Sequence, residues 1–172
     1  MQIKIENFAA KNIINFYPPQ RLMSEGLLLV RQTPSATDTL PNRILQIDGV
    51  TRCMVAPDVV SVRYDLSQYA TVKALILAEL DDFFAESQVV AADADGNSKE
   101  QAEAVADAFI RPTLNRDNGD IEIHTVTDNV LELSFTGHCA GCPYAQNTLQ
   151  NVIMRTFLKY MPQIREVKLK GA

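Results

Sequence analysis

The sequence predicts a mixed α/β chain of the α+β type, in which two small domains each carry a short sheet covered by helices. Alternating apolar and polar runs predict the strands, and apolar residues at helical spacing predict the helices. Between Ser87 and Gln101 this periodicity stops, and small, acidic and turn-forming residues take over. We therefore predict domains at 1–88 and 102–172, joined by an acidic flexible linker at 89–101. A single domain with a long loop is the alternative, but structureless loops of this length are uncommon in compact domains.

The first domain is predicted to be a sheet with two covering helices. Pro41 suits the first turn of the earlier helix, and Asp48-Gly49 ends it. Ala56-Pro57-Asp58 between two β-rich runs is a hairpin signal. In chain order the elements are strands from Ile3, at 13–17 and at 27–30, a helix at 40–47, strands at 50–55 and 59–64, and a helix from Thr71 that buries Val72, Leu75, Ile76, Leu80 and Phe83.

The second domain is predicted to have the order helix, strand, strand, helix, strand. A helix at 103–114 precedes a hairpin whose strands alternate from Ile121 and from Leu131. A second helix ends before Pro162, and alternation around Val167 adds the third strand.

Composition and charge exclude several classes of function. The 172 residues have a formal net charge of -5, so the chain has no general basic field with which to gather nucleic acid. No apolar run reaches the roughly 18 residues of a membrane-spanning helix. Three cysteines are an odd set, which indicates a reducing compartment, and the amino terminus resembles neither a signal nor a transit peptide. We therefore expect a cytoplasmic protein without a membrane or nucleic-acid partner; a matrix protein without its transit segment would have the same sequence features.

Two cysteines separated by two residues are the main candidate for chemistry. Pro143 fits the first position of the following helix, which places Cys142 at the helix start, near unpaired N–H groups that favour thiolates. Gly137 and Gly141 allow tight turns whose amides face the sulfurs. Cys139 and Cys142 therefore form a suitable ligand pair, but they supply only half of a tetrahedral metal site.

The residues alone leave the other half open. A structural zinc site would need two further ligands, which only Cys53, His124 and His138 could supply, and His138 adjoins Cys139 too closely for good geometry. A redox dithiol is a second possibility, although the βαβ context of a thioredoxin-like site is missing. Buried cysteines without chemistry are a third. No Ser-His-Asp set, Walker-type loop, dinucleotide fingerprint or zinc-protease motif indicates other catalysis.

The motifs around the cysteine pair resemble the carboxy-terminal domain of NifU, also called the Nfu domain. The match covers about residues 102–170, and its motifs are Phe109-Ile110-Arg111-Pro112, Asp117-Asn118-Gly119-Asp120, Gly137 to Pro143, Thr148-Leu149 and Met161-Pro162-Gln163-Ile164. The segment from Thr39 to Val62 is similar to the amino-terminal domain of two-domain Nfu proteins. The family usually has two glycines where this chain has Asn118-Gly119, but Asn tolerates left-handed backbone geometry.

The resemblance implies a non-enzymatic iron-sulfur cluster carrier. Proteins of this family hold a 4Fe-4S cluster between two chains, so Cys139 and Cys142 are implied as the metal ligands, with Gly137, Gly141 and Pro143 shaping the loop. A homodimer when loaded and a monomer when empty are expected. The implied partners are upstream cluster-assembly proteins and apo iron-sulfur clients. A thiol-disulfide oxidoreductase and a zinc-bound or structural interaction module remain the alternatives.

Overall fold

The structure, a computed structural model, describes residues 2–31, 38–90 and 98–170. Contacts between Cα atoms divide the chain into two compact units, Met1–Ala94 and Asp95–Ala172. The predicted α+β class is confirmed, because each unit combines a sheet with helices. Of the predicted linker, residues 91–97 lie outside the described part, and a helix begins at Ser98 within the range predicted as linker.

The first unit is a five-stranded antiparallel sheet with two helices. Its strands are β1 (Lys4–Phe8), β2 (Ile13–Tyr17), β3 (Leu28–Arg31), β4 (Val50–Ala56) and β5 (Val59–Tyr64), in the spatial order β1-β2-β5-β4-β3. The helices are α1 (Leu40–Leu45), with proline in its first turn, and α2 (Tyr69–Ala85). Every strand and helix expected in this half of the chain is present within a few residues of its predicted position.

Helix α2 packs one stripe of apolar side chains into the core of the first unit. Val72, Ile76, Leu80 and Phe83 are buried as predicted. Leu75 was expected on the same stripe, but it is 45% exposed. One residue advances an α-helix by about 100°, so Leu75 lies well to the side of Ile76 and misses the sheet.

The second unit has a three-stranded sheet and the predicted order of helix, strand, strand, helix, strand. Its strands are β6 (Gly119–Thr127), β7 (Val130–Gly137) and β8 (Glu166–Leu169); β6 pairs antiparallel with β7, and β8 pairs parallel with β7. Helix α3 (Ser98–Val105) continues through a π-helical segment (Ala106–Ile110) into α4 (Arg111–Leu114), and α5 (Pro143–Tyr160) connects β7 to β8. The start of β6 and the end of β7 lie side by side, because Gly119 pairs with Gly137.

The π-helical segment is a departure from the continuous helix expected at 103–114. Pro112 lies in the first turn of α4, and in a regular helix its ring would collide with the carbonyl four residues earlier. The chain widens by one residue instead, so that the Arg111 N–H donates to the Ala106 carbonyl, five residues back. The Phe109 ring then stacks on Tyr160 of α5, with centroids 4.4 Å apart.

Candidate metal centre

The cysteine pair lies in the short connection between β7 and α5. A single 3₁₀ turn, His138–Gly141, follows Gly137 at the end of the strand, and Pro143 is the first residue of α5. Cys142 immediately precedes the helix and is exposed, whereas Cys139 is buried, with 6% of its surface accessible. The two thiols thus lie on one turn but in different environments.

Cys139 is buried because it packs against a glycine of the neighbouring strand. Gly119 pairs with Gly137 across the β6–β7 ladder. A Cβ atom built at Gly119 would overlap the Cys139 sulfur and lie 3.1 Å from its Cβ. Only glycine therefore leaves room for the Cys139 side chain. The sequence does not reveal this role of Gly119, although the residue belongs to the motif Asp117-Asn118-Gly119-Asp120.

The two glycines that were expected to shape the loop differ in their backbone. Gly137 has φ +65°, and a Cβ there would collide with the Asn118 carbonyl oxygen, so only glycine fits. Gly141 does not have a positive φ, and a Cβ there would meet no atom within 4 Å. A tight turn therefore requires glycine at position 137, as expected, but not at position 141.

The turn before β6 is joined to the cysteine loop through Asn118. This residue is left-handed, with φ 55° and ψ 29°, as expected for asparagine in place of glycine. Its N–H donates to the Asn115 carbonyl at 3.2 Å, and its own carbonyl accepts from the His138 N–H at 3.1 Å. The residue next to Cys139 is therefore held by a main-chain hydrogen bond from outside the loop.

The pKa of Cys139 shifts in the direction opposite to the one expected from the helix start, which favours thiolates. Burial raises the pKa of the Cys139 thiol, and electrostatic interactions with Asp117, Cys142 and Asp120 raise it further. Burial and these interactions outweigh the benefit expected from the nearby helix start. In the metal-free protein Cys139 is therefore a thiol, and a metal ion that binds it must displace the proton.

Arg111 fixes the start of β6 beneath this loop. Its guanidinium donates to Glu103 at 2.6 Å, Asp107 at 2.9 Å and Asp120 at 3.2 Å, and to the Ile121 carbonyl at 3.1 Å. Burial alone lowers the pKa of this guanidinium, but the hydrogen bonds to Glu103 and Asp107 raise it above its ordinary value. Arg111 therefore joins Asp120, at the start of β6, to Glu103 and Asp107 of the first helix of this unit. The sequence motif contained Arg111 without revealing its role.

The other candidate ligands do not join the pair. Cys53 is fully buried in the first unit, where desolvation raises the pKa of its thiol far above the ordinary value. His124 lies on β6, with its Nε2 2.9 Å from Ser134 Oγ, and His138 is exposed on the loop beside Cys139. Within residues 2–31, 38–90 and 98–170, no three His, Cys, Asp or Glu side chains are grouped as a metal site.

The donor chemistry of the loop suits one half of an iron-sulfur cluster. Cys139 and Cys142 offer two soft sulfur atoms on one turn, and thiolates are the ordinary ligands of such clusters. One side of the turn is exposed, so that further ligands from another chain have access to it. The second unit therefore combines a small α+β fold with an exposed half-site of thiol ligands.

Comparisons with known proteins show which family the second unit resembles. Residues 103–168, most of the second unit, match the family model described as a NifU-like domain. Over 98% of its length, the chain is 27% identical to the human "NFU1 iron-sulfur cluster scaffold homolog, mitochondrial", and the alignment covers 71% of that protein. It is 25% identical to the protein of the same name from Drosophila erecta, over 79% of this chain and 52% of that protein. The resemblance to the Nfu/NifU family is therefore confirmed.

The names of these relatives bear on two further expectations. They describe iron-sulfur cluster scaffolds rather than enzymes, which supports a scaffold or carrier role and an iron-sulfur cluster as the bound group. The names also describe these relatives as mitochondrial, so the prediction of a cytoplasmic location is wrong. No helix in the described part of the chain is both long and apolar enough to cross a membrane.

Among solved structures, the chain is similar to SAV1430 from Staphylococcus aureus, with a TM-score of 0.40 and 18% identity. That alignment covers 46% of this chain and 99% of SAV1430.

Proposed function

We propose that this protein is a non-catalytic carrier of a 4Fe-4S cluster, which two copies of the chain hold between them through Cys139 and Cys142. The observation that carries the proposal is the pair of thiols on one exposed turn of a NifU-like domain, with no further ligand grouped beside it among the described residues. A 4Fe-4S cluster takes four thiolates, and two copies of the pair supply four.

The shared site explains why such a protein would release its cargo. Separating the two chains removes half of the cluster ligands at once, so the loaded dimer is less stable than a cluster held within one chain. We propose that the loaded protein is a homodimer and the empty protein a monomer. It receives the cluster from upstream assembly proteins and delivers it to apo iron-sulfur clients.

The environment of Cys139 counts against this residue as the attacking thiol of a thiol-disulfide oxidoreductase. The attacking thiol of such an enzyme has a lowered pKa and is accessible. Cys139 has neither property, because it is buried against Gly119 and its pKa is raised. A structural zinc site is also poorly supported, since it needs four ligands and the described residues group only two here.

Anaerobic reconstitution with ferrous iron and sulfide tests the proposal. Visible absorption, Mössbauer spectra, iron per chain and oligomeric mass are measured on one sample. We expect a brown dimer with about four iron atoms, lost in Cys139→Ser and in Cys142→Ser. Cys53→Ser is the matched control, because Cys53 lies in the core of the first unit, and it should keep its iron.

Two results would contradict the bridged cluster. One is a colourless monomer after reconstitution of the wild-type protein. The other is a full complement of iron in the Cys139→Ser/Cys142→Ser double variant. In either case the next measurement is the redox potential of the dithiol.

A further inference from the structure

The two proposed ligands are unequal in how they are held. The Cys139 side chain is 6% exposed, and its sulfur occupies the space that the missing Cβ of Gly119 leaves. Cys142 is exposed and lies at the end of the turn, immediately before Pro143. A reagent from solution therefore reaches the Cys142 sulfur directly, whereas movement of Cys139 requires the loop to separate from β6.

Gly141, beside the exposed cysteine, has no conformational reason to be glycine. Its φ is not positive, and an added Cβ would meet nothing within 4 Å. Gly119 and Gly137 differ in this respect, because a Cβ at either position collides with a neighbouring atom. Among the described residues, the missing side chain at position 141 therefore leaves open space on the residue that precedes Cys142, rather than relieving strain.

From this asymmetry we infer that Cys142 is the ligand exchanged first during cluster transfer, that Gly141 keeps open the approach to it, and that Cys139 is the retained ligand. The inference rests on the proposed carrier function. It assigns different roles to two cysteines that the motif alone presents as equivalent.

The proposed exchange is a ligand substitution without electron transfer. The sulfur of an incoming client thiol donates an electron pair to iron and forms a new Fe–S bond. The bond from that iron to Cys142 breaks, and Cys142 leaves with the electron pair as a thiolate. The proton lost by the client thiol passes to this thiolate, so the oxidation state of the cluster does not change. Cys139 keeps its Fe–S bond during this step.

Trapping the first released thiol tests the order of exchange. The reconstituted full chain is mixed anaerobically with glutathione as the acceptor thiol, samples are quenched at successive times with excess iodoacetamide, and each cysteine is quantified by mass spectrometry. We expect alkylation of Cys142 to run about tenfold ahead of Cys139, since exchange follows access. Cys53 stays unmodified unless the protein unfolds, so it serves as an internal reference.

The outcomes separate this inference from the function on which it rests. Loaded protein that releases Cys139 first, or both cysteines together, would overturn the inference and leave the carrier function intact. Protein that takes up no cluster would overturn the carrier function and this inference with it.

A graded series at position 141 tests the approach path. Gly141→Ala and Gly141→Leu add bulk where the structure leaves space, so in the cluster-loaded fraction of each variant we expect exchange slowed about twofold and about tenfold. Asn151→Leu, at an exposed position of α5 two turns further on, is the matched control and should exchange at the wild-type rate. Wild-type exchange in loaded Gly141→Leu would refute a role for this space.

Discussion

Replacement of Gly119 by alanine tests the packing on which the cysteine loop depends. The new methyl group would overlap the Cys139 sulfur, while the Leu114 carbonyl oxygen, at 3.5 Å, would be in ordinary contact. The collision is thus with one buried side chain that has little room to turn. Overpacking of this kind costs about 1–3 kcal/mol, and removal of a strand glycine returns about 0.5–1 kcal/mol. The two ranges leave a net loss between about 0 and 2.5 kcal/mol, and because the overlap is with the sulfur atom itself, we expect about 1–2 kcal/mol in the free energy of opening of the β6–β7 hairpin.

Amide hydrogen exchange of the full-length chain measures this loss locally. A change of that size accelerates exchange in the hairpin about 5–30-fold. The Gly119→Ala/Cys139→Ala double variant removes the sulfur and should regain more than half of the loss, which a double-mutant cycle reports as coupling. Gly141→Ala is the matched control, because its methyl group meets nothing within 4 Å. Unchanged hairpin exchange in Gly119→Ala, or additive effects in the double variant, would refute the packing argument.

Two further predictions concern the described hydrogen-bond networks. Arg111→Gln leaves the buried Asp107 carboxylate without its guanidinium, so urea denaturation should show a loss of about 3–5 kcal/mol in the free energy of unfolding. Arg111→Lys should restore part of this loss. A loss below about 0.5 kcal/mol in Arg111→Gln would contradict the expectation. Hydrogen bonds from the Ser67 N–H and hydroxyl lower the pKa of Asp65, so its contribution to stability is present above the unfolded value of 3.8 and is lost as the pH falls through the lower folded pKa. Asp65→Asn should reduce the acid dependence of unfolding, and an identical dependence in both proteins would exclude this contribution.

Local patterns account for the part of the fold that the sequence predicted. Alternation located the hairpin strands from Ile121 and Leu131, because one face of that sheet is buried and register follows burial. Asn118 was expected to keep the turn because left-handed geometry depends on the residue itself. Pro143 at the start of α5 follows from its fixed φ and missing N–H in the same way.

The features that the sequence did not reveal depend on contacts between distant residues. The fit of Cys139 against Gly119 joins positions 20 residues apart, and no periodicity encodes it. The raised pKa of Cys139 depends on the depth of burial and on Asp117, which the helix-start argument did not include. The sequence did not predict the widening of the helix before Pro112. A proline indicates that a helix is interrupted, but the packing of the helix decides whether the chain kinks, ends or widens there.

In the proposed carrier, packing and charge act on the cluster in opposite directions. A 4Fe-4S core of charge 2+ with four thiolates has a net charge of about −2, and Asp117 and Asp120 add negative charge beside Cys139. The carboxylates that add to the effect of burial in raising the pKa of this thiol therefore also repel the anionic cluster, although Arg111 offsets the charge of Asp120. The packing of Cys139 against Gly119 opposes the repulsion by fixing one sulfur in place. Retention thus depends on a fixed position rather than on favourable charge, and exchange at the exposed Cys142 is enough to begin transfer.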